Sequence, residues 1–282
     1  MGEFVTIREN PEVSLFCSSL GPPGDTPLLV VHGGPDWDHS YLRQPLDRLG
    51  RPVLLPDLRG CGRSTRGLGP AGYSFEAAAD DLVVLADRLG LDRFDLLGFS
   101  TGGQIAQRVL LSAPDRVRRT VIASSTLWPV ADTDFGPWPE RDALRGAEAR
   151  VWSESGLTGP DLVREAAVAG APAAVRDPDR LPSYLSLLDR VSWSAEWVPG
   201  FLAGSLDSPR PPDGPERLRA LAAPLLFLHG REDMTFPASL AERAAGFLPN
   251  ARAVVLEGAG HMAHVDRPEA WLDALDAFLS AP

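Results

Sequence analysis

Ser100 stands in Gly98-Phe99-Ser100-Thr101-Gly102, between an apolar run at 94–97 and a helix-like run carrying Ile105, Ala106, Val109 and Leu110. A strand that turns sharply into a helix strains its turn residue and lifts that side chain above the sheet, so a serine there is a candidate nucleophile. Glycines two positions before and after it, with Gly103 next, let strand and helix approach closely. The Thr101 amide at the helix start points to where an attacked carbonyl oxygen gathers negative charge. His32-Gly33-Gly34-Pro35 ends another apolar run and supplies a second backbone donor for that charge, Gly34 being preferred and Gly33 the alternative. The chemistry these residues imply is serine attack on a carbonyl carbon, with the oxyanion held by two amides.

The hydroxyl needs a base, and five histidines compete: His32, His39, His229, His261 and His264. The order serine, acid, histidine favours a late histidine. His261 follows the apolar run 253–256 in the glycine turn Gly258-Ala259-Gly260, which lets an imidazole reach over the strand ends. His264 is the rival, but it leads directly into the final helix; His229 and His32 read as loop anchors, and His39 as a weak pocket candidate. For the acid, Asp233 lies just past the run 225–229, where a carboxylate can accept the second ring N–H of His261 and fix its tautomer. Glu232 is the near alternative. Asp266, three residues before Glu269, reads as a helix cap, and Cys61 receives no chemistry.

The elements that must position these groups are short apolar runs at 28–32, 53–56, 94–99, 120–124, 225–229 and 253–257, separated by helical patterns. Phe75, Leu82, Leu85 and Leu89 recur at helical spacing before Gly90, a segment from 41 to 49 ends at Gly50, and Trp271, Leu272, Leu275, Phe278 and Leu279 form a C-terminal stripe. Strands that read as continuous apolar runs between helices predict an α/β fold with a mostly parallel central sheet covered on both faces. The alternation breaks between 128 and 215. That stretch has helix-like pieces at 140–155, 160–169 and 181–190 and holds Trp138, Trp152, Trp193 and Trp197, before the proline-rich 209–215 leads back to a strand. The expected organisation is a core in two parts, 1–127 and 216–282, with a helical cap inserted at 128–215 over the strand ends.

The formal charge is −11, and every basic residue is arginine, without a basic cluster. Such a surface disfavours nucleic acid and anionic lipid, and the absence of lysine excludes Schiff-base and Ser–Lys chemistry. Two cysteines without a CxxC pair argue against a disulfide framework or a cysteine zinc site. No secretory leader and no apolar stretch of about 20 residues is visible, and Gly2 matches the myristoylation pattern only loosely, so a cytoplasmic location without membrane attachment is expected.

His32-Gly33-Gly34-Pro35, the loop Asp57-Leu-Arg-Gly-Cys-Gly-Arg-Ser64, the turn at 98–102, Gly230-Arg-Glu-Asp233 and Gly258-Ala-Gly-His261 together resemble the α/β-hydrolase superfamily in order and spacing. The resemblance covers the whole chain outside the helical insertion, and within the superfamily it is most similar to the proline iminopeptidase branch. That branch carries a glycine where Asp36 stands, and its elbow commonly includes a tryptophan in place of Phe99. The resemblance implies an α/β-hydrolase fold with a cap, and acidic cap residues that hold a substrate's free amine. Glu154 and Glu196, each beside a tryptophan, are candidates for that role; otherwise they are solvated helix carboxylates.

The expected activity is cleavage of an ester, lactone or amide of a small molecule by Ser100, His261 and Asp233 through an acyl-enzyme. The oxyanion rests on Gly34 and Thr101, and no metal or organic cofactor takes part. Gly33, Trp152, Glu154, Trp193, Glu196 and Trp197 are the candidate substrate contacts, with Phe135 lining an apolar part of the lid. Alternatives are a proline iminopeptidase-type aminopeptidase and a cofactor-free cyclase or lyase. Serine at position 100 disfavours an aspartate-nucleophile epoxide hydrolase or dehalogenase.

Overall fold

In the computed structural model, which describes residues 2–24 and 26–281, the apolar runs become strands of one sheet. They are β1 (Gly2–Glu9), β2 (Glu12–Leu20), β3 (Leu28–Val31), β4 (Val53–Pro56), β5 (Phe94–Phe99), β6 (Val117–Ala123), β7 (Leu225–Gly230) and β8 (Ala251–Leu256). Their order across the sheet is β1-β2-β4-β3-β5-β6-β7-β8. From β4 to β8 all neighbours are parallel, whereas β2 runs antiparallel to β1 and β4. The helices are α1 (Arg43–Leu46), α2 (Phe75–Arg88), α3 (Thr101–Ser112), α4 (Pro139–Glu154), α5 (Gly159–Ala174), α6 (Leu181–Leu188), α7 (Val198–Leu202), α8 (Gly214–Leu221), α9 (Ala238–Phe247), α10 (Ala263–Asp266) and α11 (Pro268–Leu279).

β3, β5 and β7 are buried along their full length because helices cover both sheet faces. Leu29 and Val31 point into a core shared with Leu82 and Leu85 of α2 and Ile105 and Val109 of α3. Leu28 and Val30, one residue out of phase, point the other way and pack with Leu46 of α1 and Trp271 and Leu275 of α11. Each fully buried leucine or phenylalanine contributes about 1.5–3 kcal/mol relative to exposure, so the strands that carry the loops are the rigid part of the molecule.

The β1–β2 hairpin is absent from the sequence expectation. β1 is an edge strand whose only fully buried residue is Ile7, so it lacks the apolar run that marks the central strands. The helix expected over 41–49 is broken. Pro45 disfavours helical geometry at the residue before it, and Gln44 sits at φ −98, ψ 131. The stretch 209–215 leads into α8 before β7. Asp266 does not cap the last helix: α11 begins after Arg267 with no side-chain cap. Asp266 is buried instead and accepts backbone N–H groups from Gly260 (2.7 Å), Arg176 (3.0 Å) and Asp177 (3.0 Å). A buried carboxylate needs such donors, and these three tie the histidine loop to the end of α5.

Between β6 and β7 lie α4 to α8, with no strand among the described residues. The Met262 N–H donates to Ala174 O at 2.8 Å, which brings α5 against the loops at the strand tips.

Candidate active site

Ser100 occupies the turn from β5 to α3 at φ 55, ψ −125. That region costs a non-glycine residue about 1–3 kcal/mol, and the surroundings fix it there. Its N–H donates to Ala123 O and its C=O accepts from Gly103 N, both at 2.9 Å. A Cβ on Gly98 would lie 2.3 Å from the Gly102 carbonyl oxygen, so the strand and helix can cross this closely only over glycine. The hydroxyl is 3.1 Å from His261 Nε2, and His261 Nδ1 is 2.9 Å from Asp233 Oδ2. Residues 100, 233 and 261, far apart in the chain, meet above the tips of β5, β7 and β8.

The Asp233 carboxylate is fully buried. Burial by itself would raise its pKa, but His261 and His229, with their hydrogen bonds, outweigh that and leave it well below the usual carboxylate value. Asp233 Oδ1 also accepts the N–H groups of Thr235 (2.7 Å) and Phe236 (2.9 Å), which fix its rotamer. An ionised Oδ2 beside Nδ1 requires the proton on Nδ1, leaving the Nε2 lone pair toward the serine hydroxyl. His229 Nε2 bonds Phe236 O at 2.7 Å and lies 3.2 Å from Asp233 Oδ2, bracing the same loop. Glu232, the alternative acid, accepts the Ala259 N–H at 3.1 Å and so fastens the glycine turn before His261.

The other histidines are elsewhere. His264 is buried among the rings of Tyr41, Phe99 and Trp271, and burial lowers its pKa from 6.5 to about 4. His32 Nε2 accepts the Leu58 N–H at 3.0 Å, so its Nδ1–H faces Gly33 O. His39 does not line the pocket: its Nδ1 lies 2.6 Å from Asp57 Oδ1, and both side chains are buried.

The Gly33–Gly34 loop abuts the serine, since a Cβ on Gly33 would come within 3.0 Å of Ser100 Cβ. The Gly33 N–H donates to the Tyr41 hydroxyl at 2.8 Å. Among the described residues the Gly34 N–H has no protein acceptor, and the Thr101 N–H, first in α3, has no intrahelical one. The two amides preferred from sequence are therefore the ones left unpaired.

A cavity of about 260 Å³ opens over Ser100 and His261. Gly33, Trp152 and Trp197 line it. Trp193 does not; it packs edge-on behind Trp37, with ring centroids 4.8 Å apart. Glu154 is exposed at the end of α4. Glu196 accepts the Gly67 N–H (2.9 Å) and the Tyr73 O–H (2.5 Å) and faces away from the cavity. Phe135 also lies outside it, under the Arg141 guanidinium at 3.6 Å. The charged residues of α4 that reach the cavity are Arg145 and Glu148, paired at 2.6 Å. They escaped the sequence reading although 145, 148 and 152 share one helical face, whereas Glu154, six residues past Glu148, falls about 240° around the helix. Among the described residues no group of three His, Cys, Asp or Glu side chains could hold a metal ion, and no helix is long and apolar enough to cross a membrane.

Comparison with known proteins shows the family. The family model described as alpha/beta hydrolase fold matches residues 26–268. A proline iminopeptidase of Lactobacillus delbrueckii subsp. bulgaricus is 28% identical over 283 residues, covering 94% of this chain and 93% of the relative. A thermophilic esterase from Thermogutta terrifontis superposes with a TM-score of 0.72 at 26% identity, over 99% of this chain and 98% of the other. A proline iminopeptidase-related protein from Thermus thermophilus does so with a TM-score of 0.73 at 26% identity, over 99% and 97%. The chain belongs to the alpha/beta hydrolase fold family and is a hydrolytic enzyme.

Proposed function

We propose that this chain is a serine hydrolase that cleaves an ester, lactone or amide bond of a small molecule through an acyl-enzyme, with residues 128–215 forming a cap over the site. The observation that carries the reading is the relay from Ser100 Oγ to His261 Nε2 and from Nδ1 to Asp233, at 3.1 and 2.9 Å. Ser100 attacks the carbonyl carbon as its proton passes to His261 Nε2. The amides of Gly34 and Thr101 stabilise the oxyanion, and His261 returns the proton to the leaving oxygen or nitrogen as that bond breaks. Water then gives a proton to His261 and attacks the acyl carbon, and Ser100 regains its hydrogen as the acid departs. Asp233 stabilises the imidazolium in both halves.

The cavity wall favours an uncharged acyl group. Trp37, Phe99, Trp152, Val163 and Phe201 are among its apolar lining, and Glu148 has its charge matched by Arg145. A second reading, an aminopeptidase, is favoured by two observations: Glu148 is a cap carboxylate within reach of the cavity, and a proline iminopeptidase is among the relatives. Labelling with a fluorophosphonate, then comparing kcat/KM for short acyl esters, lactones and prolyl arylamides, tests both. Ester preference with label on Ser100 supports the first, arylamide preference the second, and label absent from Ser100 refutes the nucleophile. Burst release with acylated Ser100 separates hydrolysis from cofactor-free cyclisation.

A further inference from the structure

Asp36 lies two residues past Gly34 and has φ 70, a backbone region that suits glycine and that aspartate tolerates better than most residues. It is 2% exposed, and each of its polar groups is used. Its N–H donates to Cys61 Sγ at 3.3 Å, and its C=O accepts the Ser194 N–H at 3.0 Å. Its carboxylate accepts the Ser194 O–H at 2.9 Å and the Trp197 N–H at 3.2 Å. Two residues on, Asp38 Oδ2 accepts the Ser192 N–H at 3.0 Å, while its Oδ1 accepts the Ser40 N–H at 2.8 Å. Trp197, whose indole N–H donates to Arg59 O at 2.9 Å, lines the cavity over Ser100. The loop that carries the Gly34 amide and the segment 192–197 are thus joined by bonds from the carboxylates of Asp36 and Asp38 and from the Asp36 carbonyl, those of the Asp36 carboxylate being buried.

From this geometry we infer that Asp36 is a positioning residue: it makes the oxyanion loop and the Trp197 wall of the cap one rigid unit, which holds the Gly34 amide in place as the oxyanion charge develops. The inference rests on the serine-hydrolase reading above. A backbone donor stabilises the oxyanion only if it is already in place when charge develops, and a displacement of about 1 Å costs about 100-fold. Left-handed geometry at position 36 is no obstacle to glycine, so Asp36→Gly keeps the backbone and removes only the carboxylate anchor. A residue that merely stabilised the fold would lower the melting temperature and the fraction of active protein, without changing turnover per active site.

The test uses the full chain, with active sites counted by fluorophosphonate labelling, p-nitrophenyl acetate as substrate and phenylboronic acid as a tetrahedral-adduct probe. Asp36→Gly is expected to lower kcat per labelled site by about 10- to 100-fold and to weaken boronate binding by a similar factor, with KM changing by less than about threefold. Asp36→Asn, which keeps an acceptor oxygen, should recover most of the loss. Ser194→Ala, which removes one bond from the cap side, should cost about three- to tenfold. If Asp36→Gly does not fold, Ser194→Ala decides by the same two readouts. Wild-type kcat per site and boronate affinity in Asp36→Gly, or in Ser194→Ala where that variant does not fold, overturn the inference while leaving the nucleophile intact. Wild-type protein that takes no label at Ser100 overturns the underlying reading, and the inference with it.

Discussion

Among the described residues, Asp233 and Asp57 each meet a histidine Nδ1 in a buried pair, and only the first pair adjoins the cavity over Ser100. His261 Nδ1 meets Asp233 at 2.9 Å and His39 Nδ1 meets Asp57 at 2.6 Å. Each carboxylate also accepts two backbone N–H groups: Thr235 and Phe236 for Asp233, His39 and Arg63 for Asp57. In both, burial acts to raise the carboxylate pKa and the neighbouring histidines, with hydrogen bonds, outweigh it, so both lie below the usual value. The difference is what the imidazole faces. His261 turns Nε2 to Ser100 beside a cavity, whereas the His39 ring stacks on Phe16 of β2, centroids 6.0 Å apart. A histidine–aspartate pair is a local motif that serves equally as a brace. A strained serine within reach and a cavity above it make the pair useful for proton transfer.

The largest expected effect comes from Ser100→Ala, which should lower kcat by about 10⁶-fold, read by steady-state ester hydrolysis; retention of most activity ends the contrast between the pairs. Asp233→Asn should lower kcat by about 10⁴-fold with near-normal KM, because the amide no longer holds the required tautomer. His264 offers a control three residues from His261. Its folded pKa is depressed from 6.5 to about 4, so the unfolded chain binds the proton first on acidification. Its contribution to stability is full above pH 6.5 and is lost as pH falls toward 4, about 3 kcal/mol in all. Chemical unfolding followed between pH 7 and 4.5 should show that loss, and His264→Leu should flatten the profile while leaving kcat near wild type. The smallest effect is at Asp57→Asn. It should destabilise by about 1–3 kcal/mol through backbone N–H groups left unpaired, measured by urea unfolding, with kcat per labelled site within about threefold. A turnover loss there matching that of Asp233→Asn would show the two pairs to be coupled.

Much of the core was legible because it obeys local rules. The apolar runs became β3 to β8, and the glycine-flanked turn at 98–102 and the glycine turn before His261 place their side chains at strand tips by backbone geometry alone. Of the N-terminal hairpin, β1 was not legible, because an edge strand with a single buried side chain carries no apolar run, whereas β2, with Val13, Leu15, Phe16 and Cys17 buried, carried a signal that was overlooked. Gln44 shows a rule present in the sequence and overlooked, the effect of a following proline.

In the cap the signal was weaker for a physical reason. Helical pieces could be found, but the face of α4 that meets the cavity depends on how the helix is rotated over the core, and composition does not encode that rotation. Glu148 and Arg145 therefore escaped notice while Glu154, on another face, drew it. The sequence by itself determined the strand-turn-helix that presents Ser100 and the chain order of its partners, since these follow from backbone sterics and apolar periodicity. Only the tertiary structure decided which glycine amide stays unpaired, because the Tyr41 hydroxyl takes the one at Gly33. It also decided what Asp36 and Asp266 grip, because a buried carboxylate is satisfied by whichever N–H groups distant segments of the folded chain bring to it.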